Sequence, residues 1–138
     1  MELTRRQTLI VGLGAAAVAV LPLRASAAID EYVSAFTGGA AVGEGGITID
    51  APEIAENGNT VPIEVSAPGA VSIAVYAAGN PVPPVATFNF GPLAASQTAS
   101  TRIRLAKTQD VVAIAKMADG SFVQTSATVK VTIGGCGG

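Results

Sequence analysis

Apolar and polar residues alternate with a period of two along much of this chain. Val61, Ile63 and Val65 are interleaved with Pro62, Glu64 and Ser66, and Val71, Ile73 and Val75 with Ser72, Ala74 and Tyr76. Successive side chains on a strand point to opposite faces, so each run predicts a strand with one buried face. Val111 to Met117, rich in β-branched residues, predicts another. Asp119-Gly120 is a two-residue hairpin signal leading into Phe122-Val123. Val129, Val131 and Ile133 form the inward face of a last strand, with Thr128, Lys130 and Thr132 outward. Asn57-Gly58, Pro68-Gly69, Gly79-Asn80-Pro81 and Gly91-Pro92 separate these runs as turns. Pro81-Val82-Pro83-Pro84 predicts a stiff extended connection or a sheet edge, because proline cannot donate to a ladder. One stretch follows another period. Between Ala28 and Phe36 the apolar residues Ile29, Tyr32, Val33 and Phe36 lie on one face of a helix, with Asp30 as its cap and Gly38-Gly39 as its stop.

These elements predict an all-β fold. It is an immunoglobulin-like antiparallel β-sandwich of about seven strands, with a short N-terminal helix. The one-sided alternation predicts antiparallel sheets packed on a single face. The Cys–Trp–Cys hallmark of antibody domains is missing, so the likeness is one of architecture.

Ahead of the helix the pattern changes again. Arg5-Arg6 is followed by an apolar run from Leu9 to Leu23, then Arg24 and the small triplet Ala25-Ser26-Ala27. This is the order of a cleavable export signal, and the paired arginines after Thr4 resemble the twin-arginine type. The run is about 15 residues, short of the ~20 that span a bilayer. Residues 1–27 are therefore expected to be a signal peptide, leaving no membrane anchor after processing. The expected compartment is the periplasm, which is oxidising. The twin-arginine route carries folded cargo, so a partner without its own signal can travel along.

Composition then removes whole classes of function. The 138 residues are 49% hydrophobic and 13% charged, enough to build a core without disulfides. Removing Arg5, Arg6, Arg24 and Glu2 with the signal leaves five Lys and Arg against nine Asp and Glu, a net charge of −4. With 4% aromatics and no Trp, such a chain has neither the charge nor the stacking surfaces for nucleic acid. There is no His and one Cys, which excludes His-based triads, most zinc or haem ligation and an internal disulfide. No cofactor is expected. Glu53, Glu56 and Glu64 match no calcium loop and are expected at the surface. Arg102 and Arg104, two apart, share one side of a strand opposite Ile103 and Leu105. A solvated outer face is expected for them, with contact to an acidic partner or an anionic sulfur group as the alternative.

The end of the chain is the one feature composition does not account for. Four of the 16 glycines and the single Cys lie in Gly134-Gly135-Cys136-Gly137-Gly138. Free Cys is normally buried, yet glycines on both sides give this one no packing surface. A thiol so placed is there to be reached. Glycine is thin and conformationally free, so residues 134–138 are expected to form a flexible arm able to enter a narrow channel. Ile133, at the end of the 28–133 sandwich, anchors it, and Cys136 lies about 10 Å farther along an extended chain. No Lys, Arg or His adjoins Cys136 to activate it, so its chemistry requires another protein's active site. That is the logic of a carrier rather than a catalyst.

Three stretches carry a family resemblance: Val129-Lys-Val-Thr-Ile133 followed by Gly-Gly-Cys-Gly-Gly, Ala51 to Pro62, and Ser100-Thr-Arg-Ile-Arg-Leu-Ala106. Together they resemble the SoxY family of the periplasmic sulfur-oxidising (Sox) system. The resemblance implies a chain that pairs with SoxZ and carries sulfur intermediates covalently on the residue matching Cys136. It implies that the haem protein SoxAX oxidatively joins thiosulfate to the thiol, that SoxB hydrolyses off sulfate, and that SoxCD, where present, oxidises the remaining sulfane sulfur. Two other readings stay open on the residues alone. One is a sulfurtransferase with Cys136 as nucleophile. The other is a structural or adhesion module built on the sandwich.

Overall fold

The computed structural model describes residues 29–135. The expected signal peptide, and Cys136, Gly137 and Gly138, lie outside the described residues. The described chain is one short helix and nine strands in two sheets. In chain order they are α1 (Asp30–Thr37), β1 (Val42–Glu44), β2 (Thr48–Asp50), β3 (Ile54–Asn57), β4 (Val61–Ser66), β5 (Ala70–Ala77), β6 (Pro84–Asn89), β7 (Thr98–Ile103), β8 (Gln109–Met117) and β9 (Phe122–Ile133).

The larger sheet runs β1-β9-β8-β5-β6, with β3 also on β9; the smaller runs β2-β4-β7. They face each other as the expected all-β, immunoglobulin-like sandwich. Val61, Ile63 and Val65 of β4 meet Ile73 and Val75 of β5, Val111 and Ala113 of β8 and Val129 of β9. Burying each large aliphatic side chain stabilises the fold by about 1.5–3 kcal/mol. Pro84 opens β6 at the sheet edge, where its missing N–H costs no ladder bond.

The larger sheet is covered on both faces. Its outer face holds Ala74, Tyr76, Val112, Ile114 and Phe122 against Ile29, Val33 and Phe36 of the helical segment. Phe36 meets Phe122 edge to face with ring centroids 5.8 Å apart, a favoured aromatic geometry. The central strands β5 and β8 are therefore buried on both sides, contrary to the expectation of one-sided sheets.

Four local expectations need correction. Ile29, not Asp30, occupies the helix N-cap; Asp30 and Glu31 lie in the first turn, where their charge suits the helix dipole. Gly38 ends the helix in a left-handed conformation, as expected. Val71 is 41% exposed, because the register against β8 slips between Ala70 and Ser72 and turns Ala70 inward in its place. The β8–β9 hairpin has a three-residue loop, Ala118 to Gly120, not a two-residue one. Gly120 N–H bonds the Met117 carbonyl, and its φ of 86° puts the glycine last in the loop. Finally, β9 is one continuous strand from Phe122 to Ile133, and both β1 and β3 pair with it in parallel. The sandwich is therefore mixed rather than purely antiparallel.

The Tyr76 phenol gives the outer core a pH dependence. Burial raises its pKa above the ordinary 10.0. In the unfolded chain Tyr76 ionises first, so its contribution is complete below pH 10 and is lost as pH rises through the folded value. Melting temperature is expected to fall more steeply above pH 10 in the wild type than in Tyr76→Phe, measured by circular dichroism; parallel curves would exclude this group as the cause.

Candidate functional site: the root of the glycine-rich segment

Strand β9 delivers the chain to Gly134 and Gly135 at one end of the sandwich. Two other segments meet it there. The turn after β3 brings Gly58, and the segment after β7 brings Arg104 to Lys107. Three backbone hydrogen bonds link them in series. Gly58 N–H donates to the Ile133 carbonyl at 2.7 Å, Leu105 N–H donates to the Gly58 carbonyl at 2.8 Å, and Gly135 N–H donates to the Leu105 carbonyl at 2.9 Å.

The approach is close enough to require glycine. A Cβ on Gly134 would overlap the Ala106 carbonyl oxygen, and one on Gly135 would lie 2.8 Å from the Gly58 carbonyl oxygen. A Cβ on Gly58 would overlap the Leu105 carbonyl oxygen and sit 2.8 Å from Gly135 N and 2.9 Å from Val131 Cγ1. Backbone can approach backbone this closely only where no side chain intervenes.

Behind this junction is a buried amide pair. Asn80 and Gln109 are 8% and 7% exposed. Asn80 Nδ2 donates to the Arg104 carbonyl at 2.8 Å, and its Oδ1 accepts from Ala106 N–H at 2.9 Å and Gln109 Nε2 at 2.8 Å. Gln109 Nε2 also donates to the Lys107 carbonyl at 2.9 Å, and its Oε1 accepts from Gly79 N–H at 2.8 Å. Residues 104–107 are thus held from inside by two side chains while presenting the Leu105 carbonyl to Gly135. The buried side chain of Leu105 pins the same segment to the core.

This revises one expectation. Gly134 and Gly135, expected to be the first residues of a free arm, are instead bonded and packed as an extension of the sandwich. Cys136, Gly137 and Gly138 lie outside the described residues. Ile133 was expected inside the core and is 66% exposed, although its backbone is still paired with β3. Nothing in the sequence singled out Gly58, Asn80 or Gln109. The turn signals at Asn57-Gly58 and Gly79-Asn80 mark the first two as loops, and Gln109 opens β8; their convergence on the Gly135 junction is a property of the fold.

A pair of truncations separates the two parts of the tail. Removing residues 136–138 is expected to leave the melting temperature unchanged. Removing 134–138 also deletes the Gly135–Leu105 bond, at about 1 kcal/mol, and is expected to lower melting by roughly 3–6 °C in calorimetry. Equal melting of the two truncations would mean that the junction contributes nothing to stability.

The remaining candidates lie elsewhere. Arg102 and Arg104 are exposed and Ile103 and Leu105 buried, as the alternation predicts. Arg102 Nη1 reaches Thr60 Oγ1 at 3.5 Å, beside an open groove that Asp50 and Glu64 also line. Those carboxylates offset the cation, so the groove is no selective anion site. Glu53, Glu56 and Glu64 are exposed, and Glu64 Oε2 accepts from Ser100 Oγ at 2.7 Å. Among the described residues, no group of three His, Cys, Asp or Glu side chains gathers to hold a metal ion, and no helix is long and apolar enough to cross a membrane.

Comparison with known proteins gives this geometry a family. No curated protein matches the sequence. Among solved structures, the chain is similar to the sulfur carrier protein SoxY from Chlorobium limicola f. thiosulfatophilum. The identity is 34% and the TM-score 0.69, over 78% of this chain and 94% of that one. It is also similar to the superoxide reductase (neelaredoxin) of Ignicoccus hospitalis, at 21% identity and TM-score 0.55 over 63% of this chain and 80% of that one. A putative superoxide reductase from Thermotoga maritima matches at 19% and 0.51, over 62% and 84%. The last two share the fold alone. The family model described as sulfur oxidation protein SoxY matches residues 33–136, a span that takes in the second half of the helix, both sheets, the Gly58–Gly135 junction and Cys136. This chain belongs to the SoxY family.

Proposed function

We propose that the chain is a carrier of sulfur intermediates, holding them covalently on Cys136 while Sox enzymes act on them in the periplasm. The observation that carries this reading is the SoxY family match, which runs through Cys136. The 34% identity to a protein described as a sulfur carrier supports it. So does the chemistry around the thiol. The chain has no His, and no cation neighbours Cys136 in the sequence to raise its reactivity. A carrier needs neither; a sulfurtransferase needs an activated nucleophile.

The steps follow from the thiol. In loading, Cys136 loses its proton and forms a sulfur–sulfur bond to the sulfane sulfur of thiosulfate, while an electron pair leaves to a haem protein of the SoxAX type. In hydrolysis by a SoxB-type enzyme, water attacks the terminal sulfonate sulfur. The bond to the sulfane sulfur breaks, sulfate and a proton leave, and a persulfide remains on Cys136. A SoxCD-type enzyme, where present, oxidises that sulfur further. The chain works as a heterodimer with a SoxZ-like subunit, exported through the twin-arginine route after folding. It has no resident cofactor; the sulfur species is cargo.

Intact-mass measurement on the protein purified from thiosulfate-grown cells tests the reading. A sulfur adduct on Cys136 that a reductant removes is expected. A thiol that stays unmodified under those conditions, in a system that is oxidising thiosulfate, would refute it.

A further inference from the structure

We propose that Gly58 and the Asn80–Gln109 pair are positioning residues for the carrier cysteine. They seat Gly134–Gly135 on the end of the sandwich, so that the pivot of the sulfur-bearing segment lies after Gly135 rather than after Ile133. The proposal rests on the carrier reading of Cys136.

The seat is built from backbone on three sides. Gly58 bonds Ile133 on one side and Leu105 on the other, and Leu105 in turn accepts from Gly135. No Cβ fits at Gly58, Gly134 or Gly135 without displacing a neighbour. The Leu105 carbonyl is held at its place by the Asn80 and Gln109 amides, which bond the backbone at Arg104, Ala106 and Lys107. A side-chain network that satisfies three separate backbone groups of one loop fixes that loop tightly, because each group released into the interior would go unpaired.

The consequence for a carrier is geometric. From a pivot after Ile133, Cys136 would sweep about 10 Å of chain; from a pivot after Gly135 it moves by a single Cα–Cα step of about 3.8 Å. A partner enzyme that docks on the 57–60 turn and the 104–107 segment then meets the arm root already in place. Docking those two segments brings Cys136 to the active site without first ordering the arm root, and ordering even one residue is worth about tenfold in affinity.

The test uses the full chain bound to its partner subunit, with Gly58→Ala on the turn side of the seat and Gly134→Ala on the strand side. Amide hydrogen exchange reads seating directly, at Gly135 and Leu105. Both variants are expected to lose at least tenfold in protection there. Maleimide labelling of Cys136 should stay within about twofold of wild type, because a small reagent needs no orientation. For the sulfate-releasing partner enzyme acting on the thiosulfate-loaded chain, KM is expected to rise about tenfold with kcat nearly unchanged. Because the chain is the substrate here, loss of folded protein would also raise the apparent KM, so KM is taken against the concentration of folded carrier measured by circular dichroism. If Gly58→Ala does not fold, Gly134→Ala lies beyond the last strand and decides the matter alone. Retained protection at Gly135, or lost protection with unchanged KM, overturns the proposal. If wild type itself cannot be loaded at Cys136, the carrier reading fails, while the exchange result still reports whether the seat exists.

Discussion

Cys136→Ser is expected to abolish thiosulfate-dependent turnover of the reconstituted Sox enzymes and to leave the melting curve where it was. The two halves of this result have separate causes. Serine cannot form the sulfur–sulfur bond on which loading depends, so no residual pathway exists through this chain. Among the described residues, the two buried clusters are complete between Ile29 and Val129, so the fold is expected not to depend on the thiol. Turnover is measured as thiosulfate consumed with wild-type or variant carrier at equal concentration, and unfolding by circular dichroism. Activity above a few per cent of wild type would show that sulfur travels by another atom. That outcome would remove Cys136 from the mechanism whatever the family resemblance.

Asn80→Ala is expected to destabilise the protein by about 2–4 kcal/mol, a large part of the stability of a small domain. The side chain removed is buried and makes three hydrogen bonds at once. Its loss leaves the Arg104 carbonyl, the Ala106 N–H and one Gln109 N–H without their partner in a space too closed to supply water freely. Urea unfolding gives the free energy. The change should appear in the midpoint and not in the slope, since the unfolded chain is hardly altered. A cost below about 0.5 kcal/mol would mean that the 104–107 segment is held by Leu105 alone.

The sandwich was largely legible in the sequence, and the reason is visible at β4. One face of that strand is core and the other is solvent, so Val61, Ile63 and Val65 stand out against Pro62, Glu64 and Ser66. The same rule misleads at β5. Helix α1 covers its outer face, so Ala74 and Tyr76 are as buried as Ile73 and Val75, and the alternation carries no information about which side is wet. The bulge before Ser72 then moves Val71 outward against the pattern. The first three strands were missed because segments of three or four residues are shorter than any period that could announce them. The parallel pairing of β1 and β3 with β9 is a matter of which distant edge they meet, and no local preference encodes it.

At the candidate site, the sequence pointed to Cys136 through composition alone and assigned all four surrounding glycines one purpose, passage into a channel. Gly134 and Gly135 have a different one in the structure: they let three backbones touch. A Val substitution at Gly135 would therefore break the junction and report nothing about channel width; only positions beyond Gly135 can test passage. The junction partners were illegible for a general reason. Gly58 and Asn80 each look like an ordinary turn residue, and their meaning depends on distant partners: Ala106 lies 26 positions after Asn80, and Gly58 bonds Leu105 and Ile133.

Strand β9 has a mechanical meaning as well. Tension applied beyond Gly135 runs along the axis of β9. On one side that strand is laddered to β8 from Gln109↔Val129 to Lys116↔Phe122; on the other it is bonded to β1 near its start and to β3 near its end. Tension along a strand bonded on both sides loads its hydrogen bonds in shear, many at a time, rather than unzipping them singly. Load on the end of the chain is thus shared among the hydrogen bonds that β9 makes with β8, β1 and β3.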